Sequence, residues 1–252
     1  MKRTVRLLAW FAIAAQVAFV ASWVAAGALT SGYSGSRSGV SALAADGMPY
    51  AWLAMAGMVV LGLGVAALVP GVRAVLPRRR AATVAAVLFA IAGAGVVVAA
   101  FARLDCDFAR HACATSFDAG RLSWQTSAHV WAGFVTSLAL IGTPLALARS
   151  LWPSPVALLA GGAGVISLAL MALGLILFQA GGSPEGIVDR VQFAALHTWV
   201  VLVAAGILHE TRGEPRLSTP TPLSPRHFLG SAWAGEGQVQ PWPYRFWRRL
   251  GP

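Results

Sequence analysis

The sequence predicts an all-α fold, a polytopic membrane bundle of six transmembrane helices with the N-terminus and the C-terminus both inside. Three observations carry this. The chain is 57% hydrophobic and 11% charged with mean hydropathy +0.68, more apolar surface than one water-soluble core of 252 residues could hide. Six apolar runs are each long enough to cross a hydrocarbon layer of roughly 30 Å as a helix. The cationic residues collect at the edges of those runs, and an N-in reading puts fourteen of the 19 on the inner side, as the positive-inside rule requires.

The runs fall at 7–29, 49–70, 81–102, 127–148, 154–179 and 191–209. None contains Asp, Glu, Lys or Arg. A central charge would cost about 2.5–3.5 kcal/mol on insertion scales, so the clean spacing is a strong signal. The first run follows a basic start, Lys2, Arg3 and Arg6, as a signal peptide would. It exceeds the roughly 7–15 apolar residues of a signal peptide, so it is read as a retained span. In the second, third and fifth runs Gly57, Gly62, Gly64, Gly93, Gly95, Gly161, Gly162 and Gly164 supply small faces for close helix packing. Pro144 near the inner end of the fourth is expected to bend it.

Residues 1–209 are therefore expected to form the membrane domain, and 210–252 a disordered basic and aromatic cytoplasmic tail rich in proline. The tail ends in Pro241-Trp242-Pro243-Tyr244-Arg245-Phe246-Trp247-Arg248-Arg249, a mixture suited to an anionic lipid surface. The expected location is the cell inner (plasma) membrane, with the lipid bilayer as the first partner. Cations at span edges, with no recognition motif, argue against nucleic acid. The sequence leaves oligomeric state open.

Polar residues gather at the outer ends of the spans: Ser41, Asp105, His129, Asp189, Arg190 and His197. Ionisable groups in spans usually face the bundle or a wet cavity, and Arg190 and His197, seven apart, share a helical face. These six are the candidate lining of an extracytoplasmic polar pocket. Each also has a plain structural reading, as an interhelical hydrogen bond or an interfacial ion pair. Cys106 and Cys113, with six residues between them in the loop after the third run, are a candidate disulfide in an oxidising compartment. Two free thiols or a metal pair are the alternatives.

Several segments resemble a bacterial six-helix membrane family catalogued as domain of unknown function 998. They are Tyr33-Ser34-Gly35 leading to Val40-Ser41-Ala42-Leu43, Leu104-Asp105 closing the third span, His129 opening the fourth, and Gly186-Ile187-Val188-Asp189-Arg190-Val191 opening the sixth. The sixth span of that family often opens with Glu-Arg or Gln-Arg, where this chain has Asp189-Arg190. The resemblance covers 7–209 and implies a fold without an activity.

Three functional classes fit these residues. The leading one is a binding protein whose outer pocket takes a lipid headgroup, a small anionic solute or a membrane partner, with Arg190 and His197 as the anion contacts. A second is a zinc-dependent hydrolase of lipid amide or ester bonds, with His129, His197 and Asp105 as metal ligands. It resembles alkaline ceramidases and adiponectin receptors in its ingredients, but has six spans rather than seven and no His-x-x-x-His in the last. The third is a haem held between His129 and His197.

Overall fold

The structure is a computed structural model describing residues 2–76, 79–179 and 185–212. Its helices are α1 (Lys2–Leu29), α2 (Ala51–Ala66), α3 (Leu68–Val75), α4 (Arg79–Phe101), α5 (His111–Asp118), α6 (Trp124–Leu151), α7 (Pro155–Gln179) and α8 (Glu185–Arg212), with a 3-10 turn at Val40–Ala44. Six units are long and apolar enough to cross a membrane, α2 and α3 together forming one of them. Large apolar side chains such as Trp131, Val165 and Ile176 lie exposed on the outside of the bundle, which suits contact with lipid.

The spans form a ring. Helix α1 packs on α2, α2 on α4, α4 on α6, α6 on α7, α7 on α8 and α8 back on α1. Helices α6 and α8 barely touch, which leaves space between them. The fully buried Phe89, Leu68 and Val65, with Val200 and Ile207, form the core between α2, α3, α4 and α8.

Close backbone approach knits the first half of the ring. A Cβ on Gly62 would lie 2.6 Å from the Gly93 carbonyl, and one on Gly93 2.6 Å from the Gly62 carbonyl. Gly57 and Gly64 sit equally tightly against Ser22 and Ala15 of α1. Gly95 meets Thr136 of α6 and Gly164 of α7 meets Leu145. Gly161 and Gly162 carry no such contact, since a Cβ there meets only Ala148 at 3.7 Å or nothing.

Two prolines shape the spans. Pro70 has no N–H to return to Ala66, and the second span bends at Ala67, where α2 gives way to α3. It therefore runs to Val75, five residues past the apolar run. In α6, Pro144 frees the Leu140 carbonyl. The Thr143 hydroxyl donates to that carbonyl at 2.8 Å and accepts from Trp199 Nε1 at 3.0 Å, so the proline's lost bond is replaced by a link to α8.

Helix α8 starts at Glu185 rather than 191, so Asp189 and Arg190 belong to the helix. It continues through Glu210 to Arg212. The rest of the expected tail, 213–252, lies outside the described residues. The short helix α5, a polar loop in the sequence reading, carries Cys113, which is disulfide-bonded to Cys106.

Candidate ligand-binding cavity

Three connections meet at one end of the bundle: residues 30–50, residues 102–123 and the first turns of α8. Their polar groups are fastened to one another. Ser38 Oγ donates to the buried Asp107 Oδ2 at 2.7 Å, and Asp107 Oδ1 accepts from Ala109 N–H. Arg103 forms an ion pair with Asp46 at 2.9 Å and donates to the Ala44 and Ala45 carbonyls. Gly186 is required where α8 meets the first connection, because a Cβ there would lie 2.7 Å from the Ser38 carbonyl and 2.8 Å from that of Gly35.

Arg190 is held in this cap. Its Nη1 donates to the Ser38 carbonyl at 3.0 Å and the Gly186 carbonyl at 2.7 Å, and its Nη2 donates to Tyr33 Oη at 2.5 Å. The guanidinium also lies 5.3 Å from the Trp23 ring centre and 5.8 Å from that of Tyr33, within cation–π range. Burial pushes the Tyr33 phenol above its usual range, and the Arg190 charge opposes that rise.

Asp105 staples the second connection to α6. Its carboxylate accepts from the Ser123 hydroxyl at 2.5 Å and the Ser123 N–H at 2.6 Å, while its own N–H donates to Thr126 Oγ1. Ser123 is the N-cap of α6, where a carboxylate also gains from the helix dipole. Those Ser123 bonds hold the Asp105 carboxyl below the ordinary carboxylate range.

Beneath the cap lies a largely apolar cavity of about 270 Å³, bounded by α1, α2, α4, α6 and α8. Ser41, His129, Asp189 and His197 line it together, with Gln192. Asp105 and Arg190 do not. Phe19, Phe134 and Phe193 supply aromatic wall. A second cavity of about 260 Å³ shares Phe108, Phe134, Asp189 and Gln192 with the first and extends to Met171 and Leu175 of α7.

Both imidazoles are oriented by acceptors. His129 Nδ1 lies 2.8 Å from the carbonyls of Ala99 and Ala102, at the end of α4 where helical carbonyls lack internal partners. His197 Nδ1 is hydrogen-bonded to Gln16 Oε1, whose amide nitrogen reaches the Ala12 carbonyl at 3.4 Å. His197 Nε2 is buried without a hydrogen-bond partner among the described residues. Gln16 was passed over in reading the sequence, although a lone amide within an apolar run was the available signal.

This geometry corrects the metal expectation. Among the described residues no three His, Cys, Asp or Glu side chains gather as a metal site. Asp105 is committed to Ser123 and lies off the cavity that His129 and His197 line. Nor does the haem reading gain support, since the cavity falls below the about 300–1,000 Å³ usual for drug-sized ligands, which are smaller than a macrocycle.

The fold thus defines a six-span helical membrane protein, with a largely apolar pocket lying under an interlocked cap. Residues 13–206 match the family described as "Protein of unknown function (DUF998)". The chain belongs to that family. No curated protein and no solved structure matches it.

Proposed function

We propose that this chain is a non-enzymatic binding protein of the plasma membrane, whose cavity beneath the cap takes a small amphipathic ligand from the lipid phase. The supporting observation is a largely apolar cavity with a few polar groups in its wall, among them Ser41, His129, Asp189 and His197, within the membrane-spanning ring. Sites for small molecules are usually concave and apolar with a few placed polar groups. Arg190 serves here as a fastener of the cap, because three of its N–H donors already have protein acceptors.

The capped end is assigned to the extracytoplasmic side and both termini to the cytoplasm, on the distribution of Lys and Arg. Reporter fusions after Arg80 and after Arg121 should report opposite sides of the membrane, and the same side for both would overturn the assignment.

Gly133 offers a direct test of occupancy. It lines the cavity, and a Cβ there meets nothing within 4 Å. Gly133→Leu should fill the chamber while leaving the helix intact or up to about 1 kcal/mol more stable, since leucine favours helix more than glycine does. Mass spectrometry of gently purified protein should detect a co-purifying small amphiphile in the parent and at least about tenfold less in the variant, equivalent to a loss of 1.4 kcal/mol in binding. Equal retention by a folded variant, or no retained amphiphile in the parent, would sink the proposal.

A further inference from the structure

The chemistry of the cavity's polar groups selects the kind of head a ligand can carry. Resting on the binding reading above, we infer that the cavity accepts an apolar molecule with a hydrogen-bond-donating head, an alcohol or amine, and discriminates against carboxylates and phosphates. The sequence reading favoured an anionic headgroup because it counted Arg190 among the pocket residues. The structure engages Arg190 in the cap, and the ionisable groups that line the cavity are Asp189, His129 and His197, beside neutral hydroxyls and the Gln192 amide.

The tautomers of the two imidazoles are fixed by their Nδ1 partners. Carbonyl oxygens can only accept, so His129 Nδ1 must donate to Ala99 and Ala102. Gln16 Oε1 likewise only accepts, so His197 Nδ1 carries the proton of that bond. In a neutral imidazole the other nitrogen is then an acceptor. Both rings therefore bring an Nε2 lone pair to a residue that lines the cavity. Asp189 adds a carboxylate, of which Oδ2 accepts from the Val40 N–H at 3.0 Å. No Lys or Arg lines the cavity.

An anionic head placed here would meet the Asp189 carboxylate and two lone pairs, while Arg190, the cation that acts on Asp189, is already held by cap acceptors, and burial away from water enlarges that penalty. An alcohol or amine can donate instead. His197 Nε2 is the acceptor that most calls for such a donor, being buried behind the cavity wall and without a hydrogen-bond partner among the described residues, so a ligand meets it by a small turn of the ring. The apolar body has a place as well, because the second cavity shares Phe134, Asp189 and Gln192 with the first and is also lined by Met171 and Leu175. That cavity is lined by residues of α6, α7 and α8. Helices α6 and α7 are in contact lower down, at Gly164 and Leu145, whereas Leu173, Leu175 and Ile176 of α7 are exposed on the bundle surface.

The test uses the full chain in vesicles of zwitterionic lipid, with a medium-chain primary alcohol carrying a diazirine at its tail. Irradiation should label α6 or α7 near Phe134, Met171 or Leu175. Unlabelled alcohol or amine of the same chain length should compete at least about tenfold better than the matching carboxylate or methyl ether. His197→Phe should abolish that preference. Asp189→Asn keeps a carbonyl oxygen for the Val40 N–H and should narrow the alcohol-over-carboxylate ratio, which preserves the test if the first variant does not fold. Equal competition by alcohol, ether and carboxylate at a site that Gly133→Leu blocks would overturn the donor-head inference and leave the cavity reading standing. Labelling that Gly133→Leu does not reduce, or none at all, would remove both.

Discussion

Replacing Arg190 by alanine is expected to destabilise the folded protein by about 3–5 kcal/mol, through the loss of charge-assisted hydrogen bonds in a partly buried site. The guanidinium joins Ser38, Gly186 and Tyr33 and lies within cation–π range of two aromatic rings, so its removal orphans the Ser38 carbonyl and releases the first connection from α8. Lysine should rescue little, because an ammonium cannot reproduce the planar fork that reaches three acceptors. Hydrogen exchange should show faster amide exchange across residues 33–40 in both variants. Protection equal to the parent's would show that the cap is held by other means.

The same variant has a spectroscopic signature. Tyr33 is already raised above its ordinary 10.0 by burial, and Arg190 restrains the rise. A group whose folded pKa is raised contributes stability below its unfolded value and loses it as pH climbs through the folded one. In Arg190→Ala the phenol should therefore ionise at still higher pH, if the ring stays buried, and the alkaline window over which stability falls should widen above pH 10.0. Phenolate absorbance follows this directly. A Tyr33 titration shifted down to its ordinary value would mean that the ring had left the cap.

Gly93→Ala is expected to cost about 1–3 kcal/mol, towards the upper end because the obstruction is backbone. The new methyl would stand 2.6 Å from the Gly62 carbonyl and 2.9 Å from the Ala66 nitrogen, so α2 and α4 would have to part. Alanine's better helix propensity offsets up to about 1 kcal/mol of this. In lipid the separation matters more than it would in water, because close packing rather than hydrophobic burial holds spans together. Gly162→Ala is the matched control: nothing lies within 4 Å of its Cβ, and its stability should be equal or higher. Detergent unfolding of the two variants side by side checks this, and equal midpoints would refute the packing role of Gly93.

The six spans were readable because long uncharged runs are a one-dimensional signal, satisfied locally by backbone hydrogen bonds within each helix. Span ends were less so. Asp189 and Arg190 looked like the edge of the last span because they are charged, yet they lie within α8 since the connection at 33–40 covers them. That Ser41, His129, Asp189 and His197 lie towards one end of the spans was expected from their positions along the chain. That Arg190 and Asp105 have other partners was not. Tyr33 precedes Arg190 by 157 positions, and nothing along the chain distinguishes an arginine facing a ligand from one facing carbonyls. The tautomers of His129 and His197 depend on carbonyls and an amide of other helices, so the donor or acceptor character of the cavity is a tertiary property.

The cap also has a history during synthesis. The Ser38 carbonyl, the Val40 amide and the Tyr33 hydroxyl emerge with the first connection, yet their partners on α8 follow 149 to 157 positions later. At about 5–20 residues per second, that interval is roughly 8–30 s of translation. Throughout it the first connection lacks its final fastening, and a chain that stops before α8 displays those groups indefinitely. Insertion of the last helix is thus the closure step of assembly, because it brings the Asp189 and Arg190 partners to the first connection.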